Sequence, residues 1–225
     1  MKTPAAFREH VQRVKAFLGQ GLRMRKSLFL GDANALVIAQ ARLRELLSIV
    51  HDEFALGGSH GLKGIYAFLD IFGAEQKSAS DYRELRAAHV RRIYLGLESG
   101  NAEVFRLLNK PGSPAACIEA VRAIKAGGIN VGIIILAGAG GTRLAQQHVS
   151  HSLAALASMN LGPGDIVYIS PLIVPPDGSY AQQLHEAASR PLHVVRQLEQ
   201  LKAGAKAVCA PGSKVALYHI EEFIY

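Results

Sequence analysis

A chain of 225 residues, 49% of them hydrophobic, is long enough for one sizeable core, and the absence of tryptophan with only 7% aromatics makes that core aliphatic. The formal net charge is +7, but the basic residues are spread along helical patterns with no basic run interleaved with aromatics, so a solvated basic face is expected before a nucleic-acid site. Cys117 and Cys209 lie too far apart for a metal knuckle or a disulfide framework, no apolar run reaches membrane-spanning length, and the start lacks a signal-peptide core, so a soluble cytoplasmic protein with no membrane partner is the expectation.

Thr3-Pro4 opens a helix, a hydroxyl cap followed by proline at the first helical position. Phe7, Val11, Val14 and Leu18 recur at helical spacing until Gly19 and Gly21. The run 26–30 is strand-like and ends at Gly31-Asp32-Ala33-Asn34. A helix with Leu36, Leu43, Leu46, Leu47 and Val50 inward follows, then a glycine-rich loop over 51–64. Residues 65–69 form the next apolar run, which ends at Asp70. Ser78-Ala79-Ser80-Asp81 has the form of a capping box, ahead of a short helix containing Tyr82 and Leu85.

In the stretch 91–100, RRIYLGLESG, a buried strand through Ile93, Tyr94 and Leu95 gives way abruptly to Glu98-Ser99-Gly100. Asn101 caps a helix with Glu103 in its first turn and Val104, Leu107 and Leu108 inward. Asn109-Lys110-Pro111-Gly112 turns the chain, and Ser113-Pro114 opens a helix with Cys117, Ile118, Val121 and Ile124 inward. Residues 129–136, INVGIIIL, are almost continuously apolar, which indicates burial on both faces, as in a parallel sheet. They lead into the glycine-rich turn 137–142. The following helix puts Leu144, Val149, Leu153, Leu156 and Met159 inward. Its His148 and His151 are close enough to share a metal ion, but with no third ligand nearby a helix-surface position is expected. A strand over 165–169 ends at Ser170-Pro171, and 180–203 is helical, broken at Arg190-Pro191. The segment 214–225 mixes strand-like and amphipathic character, so its type stays open.

The polar strand ends at Gly31, Asp70, Glu98, Gly138 and Ser170 are 28 to 40 residues apart, each interval holding one or two helical patterns. Such alternation builds a parallel sheet with helices outside, as a barrel, a partial barrel or an open sheet, and brings the polar ends to one rim. That rim gathers Asp32, Asn34, Asp70, Glu98, Ser99, the Gly138–Gly141 turn, Arg143 and Ser170. Carboxylates there accept hydrogen bonds from an ammonium group or ribose hydroxyls, and the N–H groups of a glycine turn at a helix start suit a carboxylate or phosphate. Glycines that only tighten a strand-to-helix turn explain Gly140 and Gly141 equally well. The spacing is not the dinucleotide fingerprint, and no nucleophile elbow, zincin helix or Walker A segment is present, which disfavours serine and zinc hydrolases.

SLFLGDANAL, RRIYLGLESGNAEVFRLLNKPG and INVGIIILAGAGGT resemble, in this order, segments of the radical S-adenosylmethionine superfamily. The resemblance is to the bacterial Fe–S oxidoreductases related to the Elongator catalytic subunit, oxygen-independent coproporphyrinogen oxidase and the methylthiotransferases. It runs from about Phe7 to Ser170, and its middle segment is the most specific. It implies a partial (β/α) TIM-like barrel that holds S-adenosylmethionine and a 4Fe–4S cluster at its rim. By this resemblance Gly31 and Asp32 stand where the family meets the methionine amino group, and Glu98 and Ser99 on the strand that meets the ribose and methionine part. Gly138 ends the strand beside the adenine, and Arg143 matches a partner for the methionine carboxylate; Asn34 joins them from the rim set.

The family's cluster is held by three cysteines in C-x3-C-x2-C, which this sequence lacks, and neither Cys117 nor Cys209 matches a ligand position. The expectation is therefore an α/β chain forming a single partial-barrel domain, with barrel units over 3–171, an extension over 172–225, and the first strand missing. It would be a fragment of a radical S-adenosylmethionine enzyme that keeps the S-adenosylmethionine rim but neither binds the 4Fe–4S cluster nor catalyses. The alternatives are a non-enzymatic degenerate barrel serving as a nucleotide-binding or scaffold protein, and a phosphate-handling barrel using 138–142. A homodimer through the exposed edge of the strand ending at Gly31 is also expected, and the substrate stays open.

Overall fold

The computed structural model describes residues 2–31, 34–58, 61–70 and 76–218. They form two compact units, Met1–Tyr94 with Ala123–Asn130 and Leu95–Arg122 with Val131–Tyr225. The six strands of the sheet follow one another in chain order, each beside its successor, as strand–helix–strand repeats produce.

In the first unit the Thr3 hydroxyl accepts the Ala6 N–H at 3.2 Å and starts α1 (Pro4–Leu18), which buries Val11. A 3-10 turn over Gly19–Met24 leads to β1 (Leu28–Leu30). The helix α2 (Gln40–Glu53) buries Leu43, Leu47, Ile49 and Val50, and begins later than the sequence pattern suggests because Asn34 to Ala39 form a turn first. Arg8 and Lys15 of α1 reach the Asp52-Glu53 end of α2. After β2 (Ile65–Phe68) comes α3 (Ala79–Ala87), whose Ser78–Asp81 capping box forms as expected and whose buried side is Tyr82 and Leu85. Then β3 (Val90–Glu98) begins. β1, β2 and β3 are parallel, with Leu28 beside Ile65 and Ala67 beside Ile93. Side chains alternate between the faces, so Ile65, Ala67 and Ile93 are fully buried. On the opposite face Phe29, Phe68 and Tyr94 cluster with ring centroids 5.2 to 5.9 Å apart.

The second unit takes in the end of β3, then α4 (Ala102–Leu107), most of α5 (Pro114–Ala126), β4 (Asn130–Ala137), α6 (Gly141–Ser158), β5 (Ile166–Pro171), α7 (Ser179–Glu186), α8 (Val195–Val208) and β6 (Lys214–Leu217). β4, β5 and β6 are parallel, with Leu136 beside Ser170 and Ile166 beside Lys214. Asn101 caps α4 as read, accepting from the N–H groups of Glu103 and Val104. Val131, Ile133 and Ile135 of β4 are fully buried, but Ile134 and Leu136 on the other face are partly covered, so the expected burial of both faces is incomplete. The break expected at Arg190-Pro191 lies within the interruption between α7 and α8. α7 stops at Glu186 because Ala188 turns left-handed (φ 51°) and Ser189 N–H closes onto the Leu184 carbonyl. The open question at 214–225 resolves into a strand over Lys214–Leu217, while 219–225 lie outside the described residues. Among the described residues no helix is long and apolar enough to cross a membrane.

Candidate functional site

Leu95 and Leu97 of β3 are buried on one face, which leaves Gly96 and Glu98, both half-buried, on the other. The strand ends abruptly there. Glu98 adopts φ 59°, and the Ser99 N–H bonds back to the Leu97 carbonyl at 2.6 Å, a γ-turn that side chains rarely tolerate. Lys110, from the loop after α4, donates to Glu98 Oε1 at 2.9 Å and to the Gly96 carbonyl at 2.7 Å. Both side chains are about one-fifth exposed (20% and 19%), so the pair is screened less than a surface salt bridge. A methyl group at Gly96 would strike the Glu98 carboxylate and crowd the Lys110 ammonium, so glycine makes room for the pair.

Ser99 is fully buried against α6. Its Oγ accepts the Asn101 N–H at 3.0 Å and lies 2.8 Å from His148 Nδ1. Ser99 Oγ and His148 Nδ1 thus share one buried hydrogen bond, whose donor is set by the tautomer of the ring. One turn on, Ser152 Oγ accepts the Gly100 N–H at 2.9 Å, and Asn101 Nδ2 lies 3.0 Å from His151 Nδ1. A Cβ on Gly100 would collide with the His151 carbonyl, so this turn is pressed against the helix backbone. The expected helix-surface position for His148 is thus corrected: it is fully buried, because Leu144, His148, Ser152 and Ala155 share the inward stripe of α6. Burial pushes its pKa down to about 4. The Leu136 carbonyl acts the other way, although Nε2 makes no hydrogen bond of ordinary geometry.

The glycine-rich turn between β4 and α6 puts Gly138, Gly140 and Gly141 at positive φ. Its amides are all engaged. Gly138 N–H goes to Gln197 Oε1 (2.5 Å), Gly140 N–H to the Tyr180 hydroxyl (2.8 Å) and Arg143 N–H to Ser189 Oγ (3.2 Å). Thr142 N–H goes to the Arg190 carbonyl at 2.9 Å, and the amides of Ala139 and Gly141 close onto Leu136 and Gly138 within the turn. An incoming carboxylate or phosphate would have to displace one of these acceptors. The Arg143 guanidinium pairs with Glu103 of α4, each side chain 39% exposed. Beneath lies a core of Val104, Ala139 and Leu144.

In the first unit the end of β1 opens at Gly31, where an added Cβ would meet nothing within 4 Å. Asn34 Oδ1 accepts the Asp70 N–H at 2.7 Å and so ties the ends of β1 and β2 together. Asp32 lies outside the described residues. In the second unit Glu98 and Ser99 share one turn, and Gly138 and Ser170 end neighbouring strands, with Leu172 N–H returning to the Ala137 carbonyl. Sequence reasoning did not single out Lys110, Ser152, Tyr180 or Gln197, and it weighed His148 only as a metal ligand or a helix-surface residue. The spacing of His148 and Ser152 from Leu144, four and eight residues, was the available signal for that pair.

The residues present do not fit a 4Fe–4S cluster. Cys117 is fully buried, with its thiol pushed up to about 12 by burial, and burial also raises Cys209, whereas cluster ligands are thiolates. Among the described residues no three His, Cys, Asp or Glu side chains are grouped to hold a metal ion. The half-buried Glu98 carboxylate does fit the hydroxyl and ammonium groups of S-adenosylmethionine.

No family model matches the chain, and no curated protein sequence does. Solved structures do. Coproporphyrinogen III oxidase (HemN) from Escherichia coli, a radical SAM enzyme, aligns with a TM-score of 0.60 at 16% identity, over 89% of this chain and 45% of that one. Elp3 from the archaeon Methanocaldococcus infernus, with an N-terminal deletion, gives 0.59 at 11% identity over 96% and 55%. The radical S-adenosylmethionine methyltransferase TsrM from Kitasatospora setae, solved with cobalamin and a 4Fe–4S cluster, gives 0.57 at 14% identity over 94% and 44%. The chain spans about half the length of these structures. At such identities the likeness is one of fold, and it agrees in kind with the resemblance of the three segments. The chain has the α/β, partial TIM-like barrel fold of the radical S-adenosylmethionine enzymes.

Proposed function

We propose that this chain supplies the S-adenosylmethionine-holding part of a radical S-adenosylmethionine Fe–S oxidoreductase and does not itself bind the cluster or catalyse. One observation carries the reading: the Glu98 carboxylate is held at the carboxyl end of β3, half-buried, with one oxygen on Lys110. A carboxylate has acceptor sites beyond the one Lys110 uses, and these suit ribose hydroxyls or an ammonium group. S-adenosylmethionine bound there would supply a sulfonium nucleoside, with Glu98 orienting its sugar. By the resemblance of their segments, Gly31, Asp32 and Asn34 are the residues proposed for the methionine amino group, and Gly138 for the adenine. Arg143 would reach the methionine carboxylate by leaving Glu103. No electron-transfer step is assigned to this chain.

A second reading is a degenerate barrel that acts as a nucleotide-binding or scaffold protein without catalysis, and the full engagement of the amides in the Gly138 turn favours its scaffold form. Isothermal titration with S-adenosylmethionine separates the two. The first reading expects binding weaker than about micromolar that Glu98→Gln lowers roughly tenfold. No binding, or binding indifferent to Glu98, leaves the second. A homodimer through the β1 edge is a further part of the proposal, which a monomeric mass in sedimentation would exclude.

A further inference from the structure

We propose that His148 is a positioning residue for Glu98, acting through Ser99 to fix the turn that presents the carboxylate to a nucleoside ligand. The inference rests on the reading that Glu98 contacts S-adenosylmethionine. Glu98 sits in a left-handed turn, a conformation that persists only where the surroundings over-determine it. Two sides do so. Lys110 holds the carboxylate at 2.9 Å, and α6 holds the peptide that follows. The α6 side consists of the bond from Ser99 Oγ to His148 Nδ1 at 2.8 Å, the Asn101 N–H on the same Oγ at 3.0 Å, and the Gly100 N–H on Ser152 at 2.9 Å.

The bond to His148 Nδ1 fixes the rotation of the Ser99 hydroxyl and keeps a lone pair on the Asn101 N–H, whichever of the two supplies the proton. Without the ring nitrogen the buried hydroxyl loses this partner, the Asn101 amide loses its fixed oxygen, and the Glu98 turn is free to relax toward extended backbone. The carboxylate then leaves its place even though Lys110 is intact. His148 touches no ligand in this arrangement.

The test uses His148→Phe, which keeps a ring but removes its nitrogens, and His148→Asn, whose side-chain amide can stand where Nδ1 stood; Ser99→Ala is a third variant. In titrations with S-adenosylmethionine, H148F and S99A should bind about tenfold more weakly than the unaltered chain, with H148N within about threefold of it. A purely structural role would make H148N as poor as H148F, and that result overturns the proposal, as does an H148F variant that binds normally. Exchange of the Asn101 amide should be slow in the unaltered chain and in H148N but at least about tenfold faster in H148F. If the unaltered chain does not bind S-adenosylmethionine, the proposed function falls, and the hold of His148 on this turn is decided by that exchange: an Asn101 amide indifferent to H148F refutes it.

Discussion

Lys110 reaches back twelve residues to the Glu98 carboxylate, at 2.9 Å, and fourteen to the Gly96 carbonyl, at 2.7 Å. One ammonium thus holds a side chain and the strand that carries it. Lys110→Met leaves a half-buried carboxylate without its cation and is expected to cost about 1–3 kcal/mol in urea unfolding. In a double-mutant cycle with Glu98→Gln the two changes should couple by about 1–2 kcal/mol. A coupling near zero would mean that the pair contributes no more than an exposed salt bridge.

The buried imidazole makes stability depend on pH in a defined direction. Burial holds His148 at about 4 against an ordinary value of 6.5. Between those values the unfolded chain takes up a proton that the folded chain refuses, so stability is intact above about pH 6.5 and falls as the pH drops toward 4. The slope is about 1.4 kcal/mol per pH unit, or about 3 kcal/mol across the window. Carboxylates also titrate there, so the readout is the difference from H148N, which has no such proton. Denaturant midpoints should show the unaltered chain losing its advantage steadily below pH 6.5.

Gly100→Ala should be among the costly small substitutions in the chain. The added methyl meets the His151 carbonyl and the Ser152 backbone rather than a side chain that could swing aside. About 1–3 kcal/mol is expected, read as a drop in melting temperature.

Tyr180→Phe removes the acceptor of the Gly140 amide and should cost about 1–2 kcal/mol. Millimolar phosphate should leave the melting temperature of the unaltered chain unchanged, since each amide of the turn already has an acceptor. A clear upward shift with phosphate would revive the phosphate-handling reading of 138–142.

Local signals were legible in the sequence because they act over three or four residues. The Thr3 cap, the Ser78–Asp81 box and the Asn101 cap all form where their residue types placed them. Strand ends were legible too, since polarity returns at Asp70, Glu98 and Ser170 as burial gives out. What stayed hidden depends on contacts across tens of residues. His148 and Ser152 are polar and so do not register in an apolar stripe, yet they are inward because Ser99 and Gly100 offer them partners. Lys110 reads as a turn residue until the fold brings it to Glu98. The amides of the Gly138 turn read as open to an anion because nothing local names their acceptors. The residues that match the family segments are therefore the strand ends, while those that set their chemistry are distant in the chain.

Those distant acceptors bear on how the protein is made. Gln197 serves the Gly138 amide, Tyr180 the Gly140 amide and Ser189 the Arg143 amide, 59, 40 and 46 positions away. A chain emerging from the ribosome can lay down β4 and α6 early, but the corner joining them has no seat until α8 has begun to leave the exit tunnel. Closure of this corner thus waits for α7 and α8 and comes after β4 and α6 have formed.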